Sequence, residues 1–256
     1  MPQLTDAASD GPSARTKRVG HKGAHHLAHG NTLASFDAAL EHGVDMIEFD
    51  ILPERLDGSG RLVLAHDYDD AAARRPPTLQ EGLAHLAGER FAAIELDVDM
   101  KLPGYEDRVI AALREHGLAG RSLISTMEPE SLRVVREAAP DIRLGWSFPR
   151  VRRDYTQHPL YRWPAYAVVG AYRLALPGMA RDALREGRVD ALMCHWAFVT
   201  RRLADKVREV GGELYVWTVD DAERIAAFER LGVAGIITND PRLFDPPASG
   251  QPPVPR

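Results

Sequence analysis

Eight short apolar runs, rich in Val and Ile, recur along this chain. They fall at Arg18–Gly23, Met46–Pro53, Phe91–Lys101, Ser122–Thr126, Arg143–Phe148, Ala191–Trp196, Glu213–Val219 and Gly235–Thr238. Stretches with helical spacing separate most of them, at Leu33–His42, Glu106–His116, Pro129–Ala139, Thr200–Val210 and Asp221–Leu231. Strands that alternate with helices build a parallel sheet whose faces the helices cover. Eight such units in 256 residues is the count of a TIM (β/α)8 barrel. A doubly wound open sheet is the second architecture the pattern allows. Asn31-Thr32 and Asp220-Asp221 supply short polar side chains for helix starts, and Gly43, Gly117, Gly211 and Gly232 stand where helices should stop.

The spacing predicts three regions: a polar lead-in over residues 1–16, a barrel over 17–244 and a Pro-rich tail over 245–256. Two insertions are expected. A small hairpin arm, Arg61–His66, follows the second barrel strand after the turn Asp57-Gly58-Ser59-Gly60. A long connection, Pro149–Val189, joins the fifth and sixth barrel strands, carrying Tyr155, His158, Tyr161, Trp163, Tyr166 and Tyr172. It reads equally as a cap on the barrel mouth or as a packed helix pair.

Composition excludes several classes. A net charge of −5 gives no reason to expect nucleic acid as a partner. One cysteine, Cys194, can form neither an internal disulfide nor a multi-Cys zinc site. The polar start lacks a signal-peptide core, and no run approaches the length of a membrane span. A cytoplasmic protein without an integral membrane segment is expected.

Within the strands the polar residues are out of place for a barrel. In Met46-Ile47-Glu48-Phe49-Asp50-Ile51, side chains alternate, so Glu48 and Asp50 share one face. In Ile94–Lys101, Glu95, Asp97, Asp99 and Lys101 share one face. A half-exposed antiparallel strand would explain one such stripe. Two of them, both running toward strand ends where barrel chemistry resides, point to a carboxylate site for a hard divalent cation. Glu95 and Asp97 lie deeper and call for basic or hydrogen-bonding partners that the sequence leaves open. His21 and His66 each follow an apolar run and form a candidate acid/base pair. His25, His26, His29 and His42 read mostly as surface residues, with His25 and His26 open as substrate contacts, and Tyr215 as barrel filling or pocket lining.

These residues carry a resemblance. His21-Lys22-Gly23, Asn31-Thr32, Glu48-Phe49-Asp50, His66-Asp67, Leu96-Asp97-Val98-Asp99-Met100-Lys101, Val216-Trp217-Thr218-Val219 and Gly235-Ile236-Ile237-Thr238 occur in order. The series resembles the glycerophosphodiester phosphodiesterase family over nearly the whole ordered chain, from about Arg18 to Pro241. The resemblance implies a TIM barrel that hydrolyses glycerophosphodiesters to glycerol 3-phosphate and an alcohol, with one divalent cation, Mg2+ or Ca2+. By position it implies metal ligation by Glu48, Asp50 and Asp99, and acid/base catalysis by His21 and His66. Lys22, Asn31, Lys101 and Trp217 would bind substrate. A register aligning Glu95 and Asp97 with the same strand motif would put Asp97 where the family has Lys, so Asp99-Met100-Lys101 is preferred. Three departures stand out: Lys22 for Arg, Gly30 where the family has Glu, and Asp99 for Glu. Two further readings share the site. One is a lysophospholipase D- or sphingomyelinase D-like enzyme that forms a cyclic phosphate, favoured by an apolar mouth of Phe148, Trp163 and Tyr166. The other is a non-catalytic barrel that binds phosphodiesters.

Overall fold

The computed structural model describes residues 15–150 and 162–245, with side chains described from residue 169 onward in the second segment. The expected lead-in before residue 15, the tail after Asp245, Tyr155, His158 and Tyr161 lie outside the described residues, as do the side chains of Trp163 and Tyr166.

Eight parallel strands close on themselves. They are β1 (Lys17–Gly20), β2 (Met46–Pro53), β4 (Glu95–Met100), β5 (Ser122–Thr126), β6 (Arg143–Phe148), β7 (Ala191–His195), β8 (Glu213–Trp217) and β9 (Gly235–Thr238). Each pairs with the next in the barrel, and β1 pairs with both β2 and β9, which closes the ring. Helices α1 (Leu33–Glu41), α4 (Glu106–Glu115), α5 (Pro129–Ala138), α6 (Arg162–Arg185), α7 (Arg201–Arg208) and α8 (Ala222–Leu231) connect successive strands. A TIM barrel is therefore the fold, and the open sheet is excluded by the β1–β2 ladder.

The local chemistry explains the element boundaries. Thr32 caps α1 in a capping box with Ser35, and Asp221 caps α8 by accepting from the Arg224 N–H. Gly232 ends α8 in the left-handed conformation at φ 73°. The outward residues of β2, Ile47, Phe49 and Ile51, join the large core beneath the helices. The inward residues Val19, Met46, Leu123, Met193, Tyr215 and Ile237 form a separate apolar floor inside the barrel.

Several boundaries differ from expectation. The hairpin strand β3 is only Leu62–Val63, antiparallel to Leu52–Pro53. Two short helices follow it, α2 (Tyr68–Ala73) and α3 (Leu79–Leu86), which the apolar spacing did not reveal. The described part of the long connection is a single helix, α6, 24 residues long with Pro177 inside it, rather than a helix pair. Phe91–Ile94 precede β4 instead of belonging to it.

Candidate active site

The carboxylates of β2 and β4 face each other across one ladder. Glu48 pairs in register with Asp97, and Asp50 with Asp99. Inward alternation therefore sets four acids in two adjacent rows on the barrel's interior wall. Oxygens of Glu48, Asp50 and Asp99 all lie within 4.8 Å of one another. Glu95 belongs to the opposite end. It is held by Lys17 at 2.7 Å and Arg143 at 2.6 Å, and Arg143 also pairs with Glu213, so a salt-bridge layer seals the barrel floor.

Lys101, just past β4, extends its Nζ to 2.5 Å from both Asp50 Oδ1 and Asp99 Oδ2. Its backbone is fixed by Tyr105, whose buried hydroxyl accepts from the Lys101 and Leu102 N–H groups and donates to the Ile51 carbonyl. Lys22 adopts φ 53°, donates its backbone N–H to Glu48 Oε2 and brings Nζ to 3.8 Å from Asp50. Asn31, also left-handed at φ 57°, donates to Asp50 Oδ2 and accepts from the Asp50 N–H. Both ends of its amide are thus occupied in orienting Asp50.

The electrostatics follow from this crowding. Burial, reinforced by Asp50, raises Glu48 well above the usual carboxylate range. Burial opposes ionisation of Asp50 too, but Lys101 and Lys22 outweigh it and hold Asp50 below its ordinary value. Asp99 is raised, chiefly by burial. Burial and the neighbouring Asp50, Asp99 and Glu48 leave Lys101 firmly protonated despite its own desolvation, because three anions outweigh that cost.

The histidines stand on either side of this cluster. His21 follows β1; its Nδ1 lies 2.6 Å from Asn239 Oδ1, and its Nε2 lies 3.8 Å from Glu48. Asn239 is itself oriented, since its Nδ2 and backbone N–H both donate to Asp220. Its Oδ1 is therefore the acceptor, which assigns the His21 proton to Nδ1 and a free lone pair to Nε2. Burial, aided by Lys22, lowers the His21 pKa to about 4, so the ring is neutral through the physiological range. His66 follows the hairpin arm, with Nδ1 3.0 Å from Asp67 Oδ2. Asp67 in turn caps α2 by accepting from the Asp70 N–H.

A cleft of about 180 Å³ opens at the carboxyl ends of the strands, lined by His21, Glu48, His66, Asp99, Lys101 and Trp217 among others. Asp97 and Ser125 also face it. The Trp217 indole donates to the Met193 carbonyl and stacks edge-on against His195 with ring centroids 5.1 Å apart, so its ring forms a fixed wall. Asn239, Asp220, Tyr105 and Asp97 were not singled out as site residues from sequence. Asn239 and Asp220 lie in the last two strand ends, and the Asn directly after Gly235–Thr238 was the one available signal. His25, His26 and His29 are exposed on the β1–α1 loop, their rings 6.0 to 6.3 Å apart and outside the carboxylate cluster.

The donor set fits a hard divalent cation. It is all oxygen, and Asp99 Oδ1 is buried without a hydrogen-bond partner among the described residues. Asp50 Oδ1 carries the Lys101 ammonium at 2.5 Å.

A closed parallel barrel with clustered acids, two histidines and two lysines at its carboxyl mouth has the layout of a TIM-barrel enzyme. The match to known proteins narrows this. The pattern of the glycerophosphoryl diester phosphodiesterase family matches residues 21–80 and 74–243. This chain belongs to that family. It is 26% identical over 263 residues to a glycerophosphodiester phosphodiesterase of Caldanaerobacter subterraneus subsp. tengcongensis, covering 90% of this chain and 96% of that one. Among solved structures, a glycerophosphodiester phosphodiesterase from Agrobacterium tumefaciens superimposes with a TM-score of 0.66 at 20% identity, covering 90% of this chain and 98% of the other. An Oleispira antarctica phosphodiesterase in complex with the product sn-glycerol-3-phosphate superimposes at 0.64 with 17% identity, covering 89% and 94%.

Proposed function

We propose that this chain is a divalent-cation-dependent hydrolase of glycerophosphodiesters that releases glycerol 3-phosphate and an alcohol. The observation that carries the reading is the convergence of His21, His66, Glu48, Asp99 and Lys101 on one cleft, with Asp50 directly behind. Glu48, Asp50 and Asp99 would hold one Mg2+ or Ca2+. Bound there, such an ion supplies positive charge against the phosphoryl oxygens.

The remaining work falls to the chain. Lys101 and Lys22 provide cationic hydrogen-bond donors for a phosphodiester anion. A Lys at position 22 acts as a point charge where Arg would grip two oxygens at once. His21, neutral and with Nε2 free, is suited to take a proton from the attacking hydroxyl or water. His66, oriented by Asp67, is then the group that returns a proton to the leaving oxygen. Trp217 forms the wall against which the glycerol moiety would pack. Asn31 acts through Asp50, and Asn239 through His21. Because the acid, base and cationic positions are all filled, the binding-only reading loses its motive.

The test is release of glycerol 3-phosphate from glycerophosphocholine, glycerophosphoethanolamine, glycerophosphoglycerol and lysolipids after EDTA treatment, with Mg2+ or Ca2+ added back. Activity should vanish with EDTA and return with one of the ions. His21→Ala and His66→Ala should each lose about 10²- to 10⁴-fold. Phosphorus NMR of the reaction separates a cyclic phosphate product from direct hydrolysis. No cation-dependent release from any of these substrates would refute the reading.

A further inference from the structure

A hydrogen-bond relay runs from the exposed rim of the barrel to His21, and its direction is fixed at the far end. Asp220 stands in the loop between β8 and α8, exposed and outside the cleft lining. Its carboxylate collects three donors. Oδ1 accepts from the Thr238 hydroxyl at 2.9 Å and from the Asn239 backbone N–H at 2.8 Å, and Oδ2 accepts from Asn239 Nδ2 at 2.6 Å. Thr238 is fully buried, and its carbonyl accepts from the His21 N–H. The Asn239 carbonyl accepts from the His26 N–H, and Val219, beside Asp220, donates its N–H to the Ile237 carbonyl. The backbone at both ends of the relay is therefore pinned, and the side-chain amide of Asn239 is the group that can turn over.

A carboxylate only accepts hydrogen bonds, and a backbone N–H only donates. With the Asn239 N–H on Oδ1, Asp220 Oδ2 faces the Asn239 side chain and requires its amino group. Asn239 Oδ1 is then left for His21 Nδ1, 2.6 Å away. The amide by itself has no such preference, because its two ends have nearly the same shape and a half-turn exchanges them. The imidazole has none either, since a neutral ring donates or accepts at Nδ1 according to its tautomer. Of the three side chains in the relay, Asp220 is the one with a single role.

We infer that Asp220 is a positioning residue that sets the tautomer of His21 from outside the cleft, by fixing which way the Asn239 amide points. Its effect on turnover rests on the proposed role of His21 as base; its effect on the tautomer does not. The relay needs one carboxylate and one amide, and it works with the two in either order. Asp220→Asn keeps the shape and reverses the direction. The new amide must keep its oxygen on the Asn239 N–H, so its amino group turns to the Asn239 side chain and requires Oδ1 there. Asn239 Nδ2 then donates to His21 Nδ1, and the ring proton moves to Nε2, on the side of Glu48. There it occupies the lone pair that would take a proton from the attacking group. Adding Asn239→Asp to the same chain restores the direction. The carboxylate at position 239 accepts from the amide at position 220 on one side and from His21 Nδ1 on the other.

The test is a long-range proton–nitrogen NMR spectrum of the full-length protein at neutral pH with Mg2+ present, the His21 signals being identified by their loss in His21→Ala. The wild type should carry the His21 proton on Nδ1, and Asp220→Asn should carry it on Nε2. Asp220→Ala, which leaves the Asn239 amide free to turn, should show both tautomers. With glycerophosphocholine as substrate, Asp220→Asn should lower kcat about 10²- to 10³-fold with little change in KM. That loss should exceed the loss in Asn239→Ala, although Asp220 lies farther from the ring. Asn239→Ala only releases the tautomer, whereas Asp220→Asn enforces the wrong one. The double variant should return the proton to Nδ1 and recover kcat to within about tenfold of the wild type. A His21 proton that stays on Nδ1 in both Asp220 variants would overturn the inference, and so would a double variant no more active than Asp220→Asn alone. If the wild type turns over no substrate, the hydrolase reading falls while the spectra still decide this one.

Discussion

Asp97 is 1% exposed, its Oδ1 has no hydrogen-bond partner, and it stands one register step below the Asp50–Asp99 pair. Burial and the Asp99 carboxylate lift its pKa from 3.8 to about 7, against a hydrogen bond from Ser125 and the attraction of Lys101. A raised acid makes the folded state hold its proton after the unfolded chain has released it. Its contribution to stability is therefore whole below pH 3.8, declines as pH rises toward 7, and stays at its lowest above that. The shift of about three units corresponds to a ceiling of about 4 kcal/mol at pH 8, and to about 1.5 kcal/mol at pH 5. Asp97→Asn removes the titration while keeping the shape. In EDTA-treated protein its stabilising effect should be small near pH 4 and grow by at least about 1 kcal/mol between pH 5 and pH 8. Urea unfolding of both proteins at the two pH values reads this directly. An equal effect at both pH values, or a loss of stability at pH 8, would refute the argument.

The other expectations concern groups around the site. Asn239→Ala removes the acceptor that fixes the His21 proton on Nδ1; kcat should fall about 10- to 100-fold while KM changes little. A fall confined to KM would show that Asn239 only shapes the pocket. Gly30→Ala places a Cβ 2.8 Å from both Lys22 Cβ and His25 Nδ1, so it should destabilise the protein by about 1–3 kcal/mol, visible as a lowered melting temperature. An unchanged melting temperature would mean that this loop yields freely.

Much of the barrel was legible because its signal is local. Inward Glu48 and Asp50 and outward Ile47, Phe49 and Ile51 follow from alternation alone, and the capping residues Thr32 and Asp221 mark their helices. What stayed hidden depends on contacts between distant segments. No pattern within β4 says that Glu95 belongs to a salt bridge with Lys17 and Arg143 while Asp99 belongs with Glu48. Asn31 reads from sequence as a substrate contact, and its hold on Asp50, 19 residues away, shows only in the structure. Helix α2 escaped notice because Tyr68–Ala73 buries none of its residues and so shows no apolar period. Helix α6 was obscured by Pro177 and by the exposed turn Gly170–Ala175, which breaks the amphipathic rhythm.

The closure of the ring has a consequence for how the protein is made. Asn239, which orients His21, leaves the ribosome 218 residues after it. Between them β1 has no neighbour on one side until β9 exists, and Lys17–Gly20 must wait to be paired by Gly235–Thr238. A nascent chain lacking its last strand can hold the carboxylates of β2 and β4 but not a correctly oriented His21. Activity should therefore appear only once Asn239 and β9 have joined the barrel.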